Sequence, residues 1–213
     1  MICTANYSSK FNSNTRVVSI SLDGGNEAGF RGEVCSKLMP TKNSFDMWKN
    51  NPTKRTTKNN NTFFVEDFYK QVLSKLDPQE VYDSLDGAIL LCEGDAKDFS
   101  PRQVVAAWFE LLLDMEIPEV KSNGGKIEFC ERDKTAKEIL FNILKEKYKG
   151  SGCNSVRAAY LNEKARQLIV ASFDVRDEAK KSELKEAAVE LKTEAIYAEM
   201  AYNHDPETKF KFF

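Results

Sequence analysis

The feature that most constrains this chain is Ala88-Ile89-Leu90-Leu91-Cys92, an unbroken apolar run between Gly87 and an acidic loop. It is too short for a helix and has no polar alternation, so it is expected to be a strand buried on both faces, the kind found at the centre of a parallel sheet. Such a strand needs helices to cover it, and the sequence supplies them. Before it, Phe64, Phe68, Val72 and Leu76 recur four apart, with Tyr69 and Leu73 beside them, which predicts an amphipathic helix. Asp77-Pro78 starts a second, short helix, since Asp caps and Pro is tolerated in the first turn. After it, Ser100-Pro101 opens a helix with a wide apolar face of Val104, Val105, Trp108, Phe109, Leu111 and Leu112, stopped by Pro118.

Upstream, Arg16-Val17-Val18-Ser19-Ile20-Ser21-Leu22 reads as a strand ended by Asp23-Gly24-Gly25, and Ile2 to Tyr7 as a shorter one. Residues 24–42 lack periodicity and read as a long irregular loop. Residues 49–62, with the basic cluster Lys54, Arg55 and Lys58, read as a solvated, mobile loop, or in a sharper reading as a phosphate-contacting flap. Downstream, Lys126 to Cys130 is one more candidate strand. Three helices are then expected: around Ala136 to Leu144, from about Ser155 to Phe173, and from about Arg176 to Asn203. The expectation is an α/β domain over 1–118, a small Rossmann-like sheet with flanking helices, followed by a mainly helical extension over 119–213. The Ala-rich stripe of the last helix and the apolar tail Phe210, Phe212 and Phe213 are candidates for contact with a protein partner.

Composition narrows the function classes. The formal net charge is −2, so no global field draws the chain to nucleic acid or to an anionic membrane. No apolar run approaches the roughly 20 residues that span a bilayer, and the N-terminal residues do not read as a signal peptide. Five scattered cysteines, odd in number and without a Cys-x-x-Cys pair, fit free thiols in a reducing, cytoplasmic setting. With a single histidine, His204, neither a metal site nor a histidine-based triad is expected, and no cofactor is implied.

The segment with chemical meaning runs from Leu90 to Arg102. A buried strand ends at Cys92, an acidic loop follows, and a helix opens at Ser100. In open α/β sheets ligands bind outside the carboxyl ends of strands, and a helix N-terminus with Arg102 in its first turn suits an anion. Ser100 and Arg102 are therefore candidate ligand-binding residues, with Asp23 in the glycine-containing turn of another strand end. Cys92, Glu93 and Asp95 are the candidate catalytic groups. The plainer reading has Ser100 capping the helix and Arg102 reaching solvent or Asp98.

This segment resembles the signature of the YeaO-like family of bacterial and phage domains of unknown function, in which Leu-Leu-Cys, an acidic loop and Cys-His-Arg succeed one another. Phe63 to Leu73, Leu76-Asp77-Pro78 and Leu85-Asp86-Gly87 resemble the family's preceding elements in order. Tyr7, Val18 to Ser21 and Leu38-Met39-Pro40 match weakly, and Tyr7 joins the ligand-binding candidates on that ground. The resemblance covers roughly residues 1–115. Ser100-Pro101-Arg102 stands where the family has Cys-His-Arg, so the two groups suited to nucleophilic or acid–base work are missing. The resemblance with this departure implies a binding protein for a phosphate-bearing ligand, a nucleotide or nucleic acid, with a phage accessory factor acting on a host system as one setting. The alternatives are an enzyme on nucleotides or modified nucleic acid, and a protein–protein adaptor working through the C-terminal helices.

Overall fold

The structure is a computed structural model that describes residues 1–204; the tail phenylalanines lie outside the described residues. It is an α/β protein. A six-stranded sheet has the order β3-β2-β4-β1-β5-β6, formed by β1 (Cys3–Asn6), β2 (Val17–Ser19), β3 (Glu33–Val34), β4 (Ile89–Cys92), β5 (Glu119–Ser122) and β6 (Ile127–Cys130). All neighbours are parallel except β5 and β6. The apolar run forms β4, paired on both sides and buried throughout, as its composition dictates.

Register sorts the side chains. Cys3 pairs with Ile89 and Ala5 with Leu91, while Val17 and Ser19 pair with the same two β4 residues on its other side. With a side-chain period of two, one face carries Ala5, Ile89, Leu91 and Val120, with Tyr7, Phe11, Val17 and Phe30 packed on them. The opposite face carries Thr4, Leu90 and Glu119 and meets α4 (Pro101–Leu113). Leu90 and Trp108 of α4 are both core, 0% and 1% exposed.

Three further α-helices precede β4. α1 (Lys42–Asn50) is followed by a short turn, and α2 (Thr57–Gln71) then begins well before its apolar stripe. The expected mobile loop over 49–62 is thus a compact turn flanked by helix. Asn51 takes the left-handed conformation at φ 39° and bonds Arg55 twice, its side-chain amide donating to the Arg55 carbonyl and its side-chain oxygen accepting the Arg55 amide. Trp48 donates to Asn61 and its carbonyl accepts from Asn60, so polar residues of α2 are buried against α1. These asparagines read as loop because their partners lie on another element. α3 (Pro78–Ser84) is capped by Asp77, as expected.

The domain boundary also moves. β5 lies next to β1 inside the sheet and Pro118 accepts the Thr4 amide, so the chain does not divide at 118. It separates instead into a unit of Met1–Ile143 and a unit of Leu144–Phe213, the division falling within α5 (Thr135–Lys147). The composition shift near 118 marks a change of element, not of unit. In the second unit, α6 (Val156–Asp174) and α7 (Glu178–His204) pack through Ala158, Leu161 and Ala195. Glu199 accepts the Asn154 and Ser155 amides at the start of α6. Val189, Ile196, Tyr197 and Met200 of α7 are exposed. No helix among the described residues is long and apolar enough to cross a membrane.

Candidate functional site

Neighbours β1 and β4 send the chain in opposite directions: β1 leads to β2 beyond β4, and β4 leads to β5 beyond β1. In open α/β sheets this is where a crevice opens at the carboxyl ends. Continuing the alternation of β1, β2 and β4 past their ends brings Tyr7, Ser19, Ser21 and Glu93 onto one face.

The hydrogen bonds bear this out. The Tyr7 and Ser19 hydroxyls are 2.5 Å apart. The Ser21 hydroxyl lies against two carboxylates, Asp23 Oδ1 at 2.9 Å and Glu93 Oε1 in a shorter contact. Asp23 also accepts the Gly25 and Glu27 amides at 2.8 and 2.7 Å. Burial pushes its carboxyl up, but those amides and Ser21 together hold it below the usual carboxylate range. Burial drives the Tyr7 phenol up to about 12, and the nearby Glu93 adds to the shift. Gly25 permits this closeness: at φ +84° a Cβ there would stand 2.8 Å from Tyr7 and from Phe30.

The other candidates behave differently. Arg102 is fully buried and its donors are taken. Nε donates to Glu119 at 3.0 and 3.2 Å, and Nη2 to Glu119 at 2.9 Å and to the Asp95 carbonyl at 3.0 Å. Nη1 donates to the Glu93 carbonyl at 2.6 Å and reaches the Cys92 carbonyl at 3.5 Å. Thr4 completes Glu119 from β1 at 2.7 Å. Arg102 thus ties the β4–α4 loop to β5, and the expected exposed cation at the helix start does not exist. Ser100 is the N-cap residue of α4, as expected, and the Gln103 side chain accepts its amide at 3.1 Å as part of a capping box. The first turn of α4 is buried, so it offers no surface for an anion.

The Cys92 thiol is buried, and desolvation, then the neighbouring Glu93 carboxylate, raise its pKa strongly. It donates to Glu93 Oε2 at 3.1 Å and stays a protonated thiol, the opposite of an activated nucleophile. Asp95 stands apart from Tyr7 and Asp23. It is exposed, accepts from Asn6 at 3.2 Å, and with Asn6, Ser8 and Ser122 lines a separate cavity of about 240 Å³ between the ends of β1 and β5.

So the structure gathers Tyr7, Asp23, Cys92 and Glu93, leaves Asp95 beside them, and turns Ser100 and Arg102 inward. Sequence reasoning missed Ser19 and Ser21, although their spacing of two on a strand was a usable signal. It missed Glu119 because nothing local marks it as the partner of Arg102. No group of three or more metal-ligating side chains occurs among the described residues. No family model, curated protein or solved structure matches the chain.

Proposed function

We propose that the first unit is a binding protein for a small molecule rich in hydroxyl donors, a nucleoside or nucleotide held by its ribose at the carboxyl ends of β1, β2 and β4. One observation carries this reading. The single Ser21 proton faces two carboxylates, and the remaining donor to Glu93 is a thiol, a weak one. Acceptors outnumber donors in a half-buried place, and a vicinal diol brings two donors. Asp or Glu at a strand end binds ribose this way in dinucleotide folds. Phosphate, where the ligand has one, is not the recognised group, because Arg102 is committed to Glu119 and backbone carbonyls.

Calorimetry with nucleosides, their 5′-monophosphates and their 2′-deoxy counterparts tests this. Ribonucleosides should bind, deoxynucleosides at least about tenfold more weakly, and the monophosphates no more tightly than the nucleosides. Binding that requires the phosphate, or indifference to the 2′-hydroxyl, would overturn it.

A second reading, an enzyme acting on nucleotides, draws on the gathering of the Tyr7, Ser19 and Ser21 hydroxyls with the Asp23 and Glu93 carboxylates at one strand-end site. Under it, Asp23→Asn abolishes turnover while keeping affinity.

A further inference from the structure

The chain is weakly acidic overall, yet from Ser36 to Val65 it carries six cations and a single carboxylate, Asp46. Asp46 is paired with Lys42 at 3.1 Å. The remaining five, Lys37, Lys49, Lys54, Arg55 and Lys58, form no ion pair among the described residues. Four of them sit on α1, its turn and the start of α2, and the turn is ordered by the Asn51–Arg55 bonds. Lys49 lies over the Trp48 ring at 4.6 Å and Arg55 over Phe63 at 4.1 Å, which steadies both cations on aromatic faces. Arg55 is half-buried, and its Nη1, shielded from solvent beside the turn, has no hydrogen-bond partner among the described residues.

Two features argue that these charges face an external anion. Neither α1 nor α2 has a carboxylate in its first turn, and each has a lysine there, Lys42 and Lys58. Cations at a helix N-terminus oppose the dipole, so α2 forms against its own electrostatics at Lys54, Arg55 and Lys58, a local conflict of the kind found at functional surfaces. The patch also has no exposed large apolar side chain, whereas a membrane-surface helix needs an apolar face to bury. Asn50 and Asn59 add exposed amide donors between the cations.

We propose that the α1–turn–α2 surface binds the phosphate backbone of a nucleic acid, without base specificity, through Lys49, Lys54, Arg55 and Lys58. This is independent of the ribose site. Charge-assisted contacts to successive phosphates give affinity that falls steeply with salt through counterion release.

The test measures fluorescence anisotropy of a labelled single strand and a labelled duplex, both about 20 nucleotides long and of mixed sequence, long enough to present several phosphates to the patch. The full chain is titrated across a salt series. Lys54→Glu/Arg55→Glu/Lys58→Glu should weaken binding to whichever form the wild type prefers by at least about tenfold and flatten the salt dependence by about one unit of slope for each phosphate no longer neutralised. Its melting temperature should be equal or higher, since acid at a helix N-terminus favours the helix. The reversal Lys180→Glu/Lys185→Glu/Lys192→Glu on α7 should leave binding unchanged. No wild-type binding to either probe at low salt, equal losses for the two reversals, or binding only to phosphatidylserine vesicles would each overturn the proposal.

Discussion

Arg102 looks from the sequence like a ligand-binding cation, and its chemistry explains why it is not one. A guanidinium has five N–H donors and no use for burial unless all are met. Here a carboxylate from β5 and carbonyls from the β4–α4 loop meet them. Arg102→Ala should therefore cost about 3–5 kcal/mol in urea unfolding, because Glu119 is left buried with only the Thr4 hydroxyl and the Glu93 and Asp95 carbonyls lose the guanidinium. Nucleoside affinity should change only through loss of fold. The partner lies 17 residues away on another strand, so no local pattern announced it. Asp23 and Glu93 were legible from their strand-end positions, whereas Ser21 was missed although the alternation of its strand carries the signal. A pH measurement comes from Tyr7. Its phenol titrates near 10 when unfolded and about 12 when folded, so the folded chain holds the proton more tightly. Its contribution is full below pH 10 and is lost as pH rises toward 12. Alkaline melts should show this loss in the wild type and a smaller one in Tyr7→Phe, which also forfeits the Ser19 bond, worth about 1 kcal/mol. Identical alkaline slopes would show that the phenol is not held as described.

At the scale of elements, periodicity spoke where one face is apolar and fell silent where burial is polar. β4, α3 and α4 stood out because their apolar runs and caps are local. α1 and the first turns of α2 did not, because Asn60 and Asn61 are buried by hydrogen bonds to α1, and a run of asparagines reads as loop. β5 was missed because its paired residues include Glu119 and Ser122, buried polar groups with no strand signal. Proteolysis probes the corrected picture. The α1–α2 turn, only Asn51 to Thr56 between two helices, should resist trypsin despite Lys54 and Arg55, and first cuts should fall instead after Lys149, beside the glycines Gly150 and Gly152. Early cleavage at Lys54 or Arg55 would mean the turn is not ordered by Asn51. The two faces of α7 can be told apart by stability. Ile196→Glu should change it by no more than about 0.5 kcal/mol, since Ile196 is exposed. Ala195→Leu, at the adjacent position, should cost about 1–3 kcal/mol by overpacking the α6 contact.

At the scale of the whole molecule, the two units are built from different material. The first encloses Leu90, Trp108, Phe64, Phe68 and Phe109, all essentially inaccessible. The second closes around Ala158, Leu161 and Ala195, with Tyr160, Leu191 and Ala198 only half-buried on them. Alanine buries little apolar area, and burial stabilises at about 25 cal/mol per Å², so the α6–α7 pair is the weaker unit by composition alone. Calorimetry of the full chain should therefore resolve two transitions rather than one, with the α6–α7 unit melting first. Variants assign them. Trp108→Ala, expected to cost about 3–5 kcal/mol, should lower the upper transition and leave the lower one in place. Ala195→Leu should lower only the lower transition. A nucleoside bound at Ser21, Asp23 and Glu93 should raise the upper transition alone, because a ligand stabilises the unit that holds it. A single transition displaced equally by both variants would mean that the units fold as one, and the assignment of the site to an independently stable first unit would fall with it.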